Sequence, residues 1–280
     1  MKKIIIILLA LFTVFSLTTC KTLETVLQEP VVSLHSVELA NMNINNVQLL
    51  CKVQIQNPNS FSIPFPETGW EVFLNAASFV SGVIKNDRSL SSKRTTIVEI
   101  PVTLNYLDIF NTFRSIRGTR QTAYKIALAV KMPIPLLGDK IWNLQHEGSL
   151  PVLQLPRISA PTMNIDVRDT TKVEIIATIN VENPNVFPVP APKFSYDYQL
   201  NRNSFIKGLI ENEPPLAASS TTPISFRLVV NYADLIRSFA ASLLTGSSLS
   251  SNLRISGDFG IPAFSGDTFN YEVSGSLPLR

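Results

Sequence analysis

The stretch Asn57-Pro58-Asn59 decides the fold, because the chain contains it twice. It recurs as Asn183-Pro184-Asn185, and without a gap residues 57–108 match residues 183–234 at 19 of 52 positions. Two unrelated sequences would share about three positions over such a length, so the match marks an internal repeat. The shared positions are turn formers, core apolar residues and helix caps, and they include Pro64/Pro190, Gly82/Gly208, Asn105/Asn231 and Asp108/Asp234. The duplicated unit is therefore a fold, and neither copy carries an evident catalytic set.

The repeat length places the domain boundaries. Pro30 and Pro156 lie 126 residues apart, the same offset as the two Asn-Pro-Asn motifs. The two copies also close on nearly the same four residues, Gly148-Ser149-Leu150-Pro151 and Gly275-Ser276-Leu277-Pro278. We therefore predict two domains, residues 30–155 and 156–280, joined by a short linker that prolines stiffen.

Most of each repeat has the pattern of β-strands. Apolar residues alternate with mostly polar ones over residues 47–56 and 172–182, which is the period of a half-buried strand. Each of these strands ends at its Asn-Pro-Asn motif, because proline lacks a backbone N–H and asparagine tolerates tight turns. Further strands are predicted at residues 71–74, 97–104, 125–131 and 138–147, and at residues 196–200, 224–230, 252–257 and 267–274.

Each repeat also contains one helix. Asn105 and Asn231 occupy the N-cap position, and Asp108 and Asp234 follow three residues later in the manner of a capping box. A glycine suited to the position after the helix follows in both copies, Gly118 and Gly246. One short helix among about seven strands per repeat predicts a mainly β fold. We expect two tandem antiparallel β-sandwiches, immunoglobulin- or fibronectin-like, each with one short α-helix.

The first 20 residues have the pattern of an export signal. Lys2 and Lys3 form a charged start, residues 4–15 are apolar, and Leu17-Thr18-Thr19-Cys20 closes the segment. The apolar run is short for a membrane span. A Leu-x-x-Cys ending resembles the lipobox of bacterial lipoproteins, which implies a signal peptide at 1–19 and a lipidated Cys20 that begins a tether at 20–29. The alternative is an ordinary signal peptide cut nearby, with Cys20 incidental.

The composition beyond this signal disfavours several classes of partner. Lys2 and Lys3 are two of the 24 basic side chains, which leaves 22 basic against 21 acidic ones. No basic cluster is present, and this disfavours nucleic acid and polyanionic surfaces. If Cys20 is acylated, Cys51 is the only other cysteine, so no intramolecular disulfide can form.

The sequence predicts no catalytic site, no metal site and no cofactor. His35 and His146 have no counterpart in the other repeat and no cysteine or carboxylate at ligand spacing. The motifs of serine hydrolases, phosphate-binding loops and zinc proteases do not occur. Cys51 lies on the inward phase of its strand, so we expect a buried, inert thiol. Asp108 and Asp234 belong to separate repeats, and helix capping explains each of them.

Apolar stretches in both repeats allow two interpretations. Aromatic residues crowd around the Asn-Pro-Asn motifs, and the apolar segments 132–137 and 259–264 occupy matching places near the end of each repeat. These residues either fill the ends of the sandwich or line a groove for a lipid or another apolar ligand. We favour filled ends, because scattered apolar residues need no ligand to explain them.

The order of motifs resembles that of a known family. A strand is followed by Asn-Pro-Asn, by Ile63-Pro64 or Val189-Pro190, by a Leu-Asn turn, by a glycine after an apolar pair, and by Thr-Thr before a strand and a short helix. This series resembles the group-2 late embryogenesis abundant family, whose module is also called the water-stress-and-hypersensitive-response (WHy) domain. Ala76 and Arg202 depart from the pattern, since glycine is common there. The resemblance implies a small β-sandwich with one helix, linked to dehydration and stress protection and, in bacteria, often to exported lipoproteins.

These observations lead to one expected function and one alternative. We expect an exported, non-enzymatic lipoprotein of the cell envelope, anchored in a membrane by acyl chains, whose two WHy-type domains protect against desiccation or bind a client protein. The alternative is a carrier of lipid or another apolar ligand, or an envelope adaptor, that uses a groove in the sandwich. Fold-level analogy supports the stress role, and composition does not.

Overall fold

The computed structural model describes residues 27–64, 67–85, 89–135, 137–166, 169, 171–211, 213–244 and 249–277. The predicted signal peptide and Cys20 lie outside these residues. Contacts divide the described chain into two compact units. The first comprises the described residues up to Asn41, Gln48–Leu104 and Gln121–Pro151, and the second comprises Met42–Val47, Asn105–Arg120 and the described residues from Val152 onward. By contacts, the helix of the first sequence repeat therefore belongs to the second unit, and the boundary at residue 155 stays a prediction.

The first unit is built from two β-sheets. Its strands are, in chain order, β1 (Val31–Met42), β2 (Asn46–Gln56), β3 (Ile63–Pro64), β4 (Glu67–Leu74), β5 (Ala77–Ile84), β6 (Ser89–Leu90), β7 (Thr95–Asn105), β8 (Gln121–Ile134) and β9 (Gly138–Pro151). One sheet has the order β1-β2-β7 and the other has the order β5-β4-β8-β9, while β3 pairs with β6. A sheet of three strands and a sheet of four are typical of an immunoglobulin- or fibronectin-like sandwich.

The second unit repeats this topology. Its strands are β10 (Arg157–Ile158), β11 (Thr162–Asp166), β12 (Lys172–Asn183), β13 (Lys193–Leu200), β14 (Asn203–Ile210), β15 (Ser220–Asn231), β16 (Leu249–Asp258) and β17 (Phe269–Leu277). Strand β12 pairs with β10, β11 and β15, and the other sheet has the order β14-β13-β16-β17. A single bridge between Val189 and Leu216 replaces the β3–β6 pair. The predicted pair of tandem, mainly β, antiparallel sandwiches is confirmed.

The alternation of side chains along the central strands builds each core. In β2, the five residues of one phase from Val47 to Ile55 are each at most 1% exposed. The same holds in β12 for the phase from Val173 to Val181. Burying a side chain of this size stabilises a fold by about 1.5–3 kcal/mol, so these two strands anchor their sandwiches. Strand β2 ends at Gln56 and β12 ends at Asn183, which places both Asn-Pro-Asn motifs at the strand ends as predicted.

Helix α1 (Tyr106–Thr112) begins at the predicted residue and ends before the predicted end. The Asn105 side chain caps it by accepting a hydrogen bond from the backbone N–H of Leu107 at 2.8 Å. The chain leaves the helix at Phe113 and makes a 3-10 turn over Arg114–Ile116. The tighter turn brings Ile116 into the core, where it is 1% exposed, and Gly118 follows with φ of 87°.

Helix α2 (Tyr232–Leu244) is longer and has a kink at Phe239, whose φ is −137°. Its apolar side chains are only partly buried, since Leu235 is 0% and Ile236 is 58% exposed. At its start, the Asn231 side-chain amide donates to the carboxylate of Asp234 at 3.5 Å. Here the two side chains contact each other, whereas a capping box pairs each with the backbone. Gly246 lies outside the described residues.

The turns of the β4–β5 and β13–β14 hairpins carry an unusual backbone. Asn75 and Ala76 have φ of 48° and 65°, and Asn201 and Arg202 have φ of 47° and 67°. Two successive positive φ values define a type I′ turn, for which Asn-Gly is the preferred sequence. Ala76 and Arg202 therefore keep the turn of the Asn-Gly pattern although each has a Cβ, at a cost of about 1–2 kcal/mol.

Replacing Ala76 or Arg202 with glycine is expected to raise the free energy of unfolding by about 0.5–1 kcal/mol per turn. Glycine removes the Cβ clash, and part of the gain is offset by its larger entropy in the unfolded chain. Denaturant titration of the full chain measures the change. Ala77→Gly is the matched control, because this exposed neighbour lies in extended β5 and should lose stability. Equal losses in Ala76→Gly and Ala77→Gly would contradict the account of the turn.

Candidate functional site

Asn57 is buried, and its side-chain amide joins three backbone segments. Nδ2 donates to the carbonyl oxygens of Phe61 at 2.8 Å, Leu90 at 3.3 Å and Ser91 at 3.2 Å. Oδ1 accepts from the backbone N–H of Asn59 at 3.0 Å and from Asn59 Nδ2 at 3.2 Å. The intervening Pro58 fixes φ, so the motif closes as a tight turn. The Asn57 amide thus satisfies backbone groups that would otherwise lack a partner after burial.

Asn59 holds the chain that leads into β1. Its Oδ1 accepts from the backbone N–H of Gln28 at 2.9 Å, and its Nδ2 donates to the Gln28 carbonyl at 2.7 Å. The side chain therefore pairs with the backbone as a neighbouring strand would. The backbone N–H of Lys93 donates to the Asn59 carbonyl at 3.0 Å, which also fixes the loop before β7.

The second repeat reproduces both sets of hydrogen bonds. Asn183 Nδ2 donates to the carbonyls of Phe187, Leu216 and Ala217 at 2.9, 3.3 and 2.9 Å. Asn185 Oδ1 accepts from the Gln154 N–H at 2.8 Å, and Asn185 Nδ2 donates to the Gln154 carbonyl at 2.9 Å. Pro184 stands between the two asparagines as Pro58 does in the first copy. The motif was expected to end a strand. The structure adds that its second asparagine binds the backbone of the segment that leads into the first strand of each repeat.

The proline that follows each motif is preceded by an apolar residue of the core. Pro64 is exposed in β3, opposite Ser89, while Ile63 before it is 0% exposed. Pro190 follows Val189, which is 1% exposed and bonds to Leu216. Both prolines thus lie at short edge pairings, where a missing N–H is tolerated.

Gly82 and Gly208 lie beneath aromatic rings of the neighbouring strand. Gly82 faces Trp70 across β4–β5, and Gly208 faces Tyr196 across β13–β14. A Cβ on Gly82 would lie 2.5 Å from the Trp70 ring, and one on Gly208 would overlap the Tyr196 ring. Both glycines therefore make room for a ring, which the sequence alone did not reveal.

Gly208→Ala is expected to lower the free energy of unfolding by about 1–3 kcal/mol, because the Tyr196 ring must leave its place over the strand. A double-mutant cycle with Tyr196→Ala isolates the cause. In the Tyr196→Ala background, Gly208→Ala should cost far less, since no ring remains to be displaced. The same cost in both backgrounds would show that the ring contact is not the reason for the glycine.

The apolar segments near the end of each repeat place part of their side chains in the core. In the first, Met132 is 0% and Ile134 is 2% exposed, whereas Leu137 in the turn that follows is 38% exposed. In the second, Ile261, Ala263 and Phe264 are 2%, 9% and 6% exposed. Phe264 packs against Phe110 of α1 with ring centroids 5.4 Å apart. These positions support the interpretation that the segments fill the sandwich.

One cavity lies on the solvent face of the first unit. It has a volume of about 780 Å³, its floor includes Gly69, Ala127 and Ala129, and its sides include Asn143 and Gln145. On the same face of the second unit, side chains occupy this space: Ser195 Oγ and Ser256 Oγ are 3.1 Å apart, and Arg254 and Glu272 form an ion pair of 3.3 Å. The second copy therefore carries larger polar side chains where the first copy has the small side chains that line this cavity.

The candidate chemical groups have structural explanations. Burial raises the pKa of the Cys51 thiol to about 11, so the thiol stays protonated and unreactive at neutral pH. His35 is exposed on β1, and His146 packs against Tyr124 with ring centroids 6.0 Å apart. Among the described residues, no three His, Cys, Asp or Glu side chains gather as metal ligands. None of the helices described is long and apolar enough to cross a membrane.

Comparison with known proteins identifies the module. A family model described as late embryogenesis abundant protein matches residues 52–148 and again residues 178–275. The probable desiccation-related protein LEA14 of Arabidopsis thaliana is 28% identical over 126 residues, which cover 45% of this chain and 83% of that protein. The late embryogenesis abundant protein Lea14-A of Gossypium hirsutum is 26% identical over 133 residues, 48% of this chain and 86% of its own.

A third relative and one solved structure have similar coverage. The desiccation-related protein PCC27-45 of Craterostigma plantagineum is 24% identical over 132 residues, 47% of this chain and 85% of its own. The solution structure of an Arabidopsis thaliana protein is 26% identical, with a TM-score of 0.36, and covers 43% of this chain and 80% of that one. Each sequence match is thus about one repeat long, as expected if this chain carries two copies of the module.

Proposed function

The chain belongs to the late embryogenesis abundant protein family, and from this premise we propose that it is a non-enzymatic protein whose two WHy-type domains protect other macromolecules during desiccation. The observation that carries the proposal is the duplicated family module at residues 52–148 and 178–275. Relatives that are each matched over about the length of one repeat bear desiccation-related names. Two copies of the module double the surface that one copy offers.

The proposed mechanism uses the outer faces of the sandwich. The side chains of the repeated motifs are used internally, since Asn57, Asn59, Asn183 and Asn185 are at most 4% exposed. The outward phases of the strands carry hydroxyl, amide and charged groups at fixed spacing, such as Arg254 and Glu272 on adjacent strands. As water is withdrawn, such groups replace the hydrogen bonds that water made to a client protein or membrane.

We further propose that the protein is an exported lipoprotein of the cell envelope with its acyl chains on Cys20. The charged start, the apolar run and the Leu-x-x-Cys ending of residues 2–20 support this proposal. Gln28, eight residues beyond Cys20, is hydrogen-bonded through its backbone to the Asn59 side chain of the sandwich. Acylation of Cys20 would therefore place the first domain close to a membrane.

The alternative proposal, a carrier of lipid or another apolar ligand, requires apolar volume between the sheets. Among the apolar residues that suggested it, Met132, Ile134, Ile261 and Phe264 are packed in the interior. This packing favours the protective role. Extraction of the purified protein with organic solvent, followed by mass spectrometry, separates the two: stoichiometric lipid would establish the carrier.

The protective role is tested by drying a desiccation-sensitive reporter enzyme with the purified protein. We expect the recovered activity to exceed that obtained with an equal mass of an unrelated folded protein, because excluded volume alone acts weakly. The comparison should hold over a range of mass ratios. Recovery no greater than with the unrelated protein would refute the protective role.

A further inference from the structure

One end of the first unit combines exposed apolar side chains with basic ones. We define this N-terminal tip as Val31, Lys93, Arg94, Pro135 and Leu137. Val31 is 59% and Leu137 is 38% exposed, and Lys93, Arg94 and Pro135 are also exposed. Pro135 and Leu137 belong to the turn between β8 and β9.

A chain of contacts places these residues at one end of the sandwich. Gln28 is held by Asn59, and Glu29 next to it forms an ion pair of 2.7 Å with Lys140, the third residue of β9. The backbone of Lys93 donates to the Asn59 carbonyl at 3.0 Å, and the backbone of Asn57 donates to the Arg94 carbonyl at 2.9 Å. The tip therefore surrounds the point where the chain enters the first sandwich.

Two basic side chains at this end, Lys93 and Arg94, have no acidic partner among the described residues. Glu29, Glu67 and Asp139 are neutralised by ion pairs with Lys140, Lys85 and Lys131, at 2.7, 3.2 and 2.9 Å. Lys93 and Arg94 have no ion pair in the described part of the chain, and the Lys93 ammonium contacts the carbonyl of Pro58. The net charge of the described residues here is therefore positive.

The second unit provides an internal comparison, because the same fold there lacks these features. At the repeat offset, Ser219 and Ser220 stand in place of Lys93 and Arg94, and Arg157 stands in place of Val31. Phe264, which occupies the place of Leu137, is 6% exposed. The exposed apolar and basic side chains are therefore not a requirement of the fold.

We infer that the N-terminal tip docks on the surface of a membrane that contains anionic lipid. Apolar side chains at the tip fit the boundary between headgroups and acyl chains, and unpaired cations fit anionic headgroups. The inference rests on the proposed anchor at Cys20. Gln28 lies eight residues beyond Cys20, and an extended chain of that length spans at most about 26–29 Å. An acylated chain therefore holds this end of the first sandwich within reach of the bilayer.

Docking is measured by fluorescence quenching in the full-length protein. Leu137→Cys is labelled with bimane, itself an apolar group, and the protein is reconstituted in vesicles of phosphatidylcholine and phosphatidylglycerol with brominated acyl chains. Cys51 is 0% exposed, so it should not be labelled in the folded protein. The matched control is Ala76→Cys, at the opposite end of β4, about 26 Å away along the strand. We expect strong quenching at residue 137 and little at residue 76.

A charge variant tests the basis of docking. Lys93→Ser with Arg94→Ser copies the second repeat, and both side chains are exposed, so the thermal unfolding of the protein should not change. Each basic side chain near an anionic surface contributes about a fivefold factor, so docking should weaken about thirty-fold in the double variant. Quenching at residue 137 in the double variant should then fall towards that at residue 76. The protein that keeps Lys93 and Arg94 should show the same fall in quenching when the vesicles contain phosphatidylcholine alone.

Mass spectrometry of the N-terminal peptide in the same samples separates this inference from the anchor proposal. An acylated protein without quenching at residue 137 would overturn the inference and leave the anchor in place. Quenching at residue 137 without acylation, in excess of that in the Ala76→Cys control, would support docking and refute the anchor. A free Cys20 would be labelled equally in both variants, so the difference between them still reports on residue 137. A protein with neither acylation nor quenching would overturn both.

Discussion

Asn57→Ala is expected to destabilise the first unit by about 3–5 kcal/mol, and Asn183→Ala to do the same in the second. Each change removes a buried amide, so that buried or part-buried carbonyls lose a donor and the backbone N–H of Asn59 or Asn185 loses its acceptor. Each buried group left without a partner costs about 1–3 kcal/mol. In Asn57→Ala the carbonyls are those of Phe61, Leu90 and Ser91. A loss of this size is a large part of the 5–15 kcal/mol, roughly, that stabilises a domain.

The two tryptophans make the units separately observable. Trp70 and Trp142 both lie in strands of the first unit, so tryptophan fluorescence follows that unit, whereas far-ultraviolet circular dichroism follows both. In Asn57→Ala, the fluorescence transition in denaturant should move to lower concentration. In Asn183→Ala, fluorescence should stay as in the wild type while part of the circular dichroism transition moves.

Asn143→Ala is the matched control, because this asparagine is exposed on β9. Its replacement should change stability by less than about 0.5 kcal/mol. If Asn57→Ala cost no more than Asn143→Ala, the buried amide would not hold the fold together and the structural account of the repeated motif would fail.

Cys20→Ala is expected to move the protein from the membrane fraction to the soluble periplasmic or medium fraction. Stable attachment depends on acyl chains buried in the bilayer, and the variant has no residue to carry them. The N-terminal tip alone should give at most weak, salt-sensitive attachment. Fractionation of cells followed by immunoblotting measures the distribution.

Metabolic labelling with a clickable fatty acid supplies the direct readout of the anchor. The wild type and Cys51→Ala should both be labelled, since Cys51 is buried and unreactive, while Cys20→Ala should not be. A wild type that takes up no fatty acid would refute the lipoprotein proposal, whatever fraction the protein occupies.

Strand pattern and repeats made the fold predictable from the sequence. The period-2 alternation of β2 and β12 placed the core correctly, because one face of each strand is buried. The edge strands were harder to recognise. Strand β1 was not predicted, since its burial alternates only weakly and its side chains are largely exposed. Strand β5 was likewise not predicted, and Gly82 within it depends on Trp70 of the next strand.

Contacts distant in sequence account for most of what the sequence did not reveal. Gln28 and Gln154 are bound through their backbone atoms, which any residue type could supply. The identity of these residues therefore does not indicate the contact, although their spacing of 126 matches the repeat. Tyr198 stands where the first repeat has Val72, and Ser251 stands where it has Tyr124, so the large side chain has moved to the adjacent strand. Such an exchange conserves core volume, and it becomes visible only when the strands are paired.

The most direct test of the central claim, that a folded LEA-type surface protects its clients, is the recovery of the dried reporter enzyme with the wild type and with the Asn57→Ala/Asn183→Ala variant. The two proteins differ by two side chains that are both buried, so their polar groups at the surface are the same in composition. Both proteins are dried at a temperature above the unfolding transition of the variant and below that of the wild type. We expect the wild type to preserve reporter activity and the unfolded variant not to do so. Equal protection by both would contradict the claim that the folded surface acts.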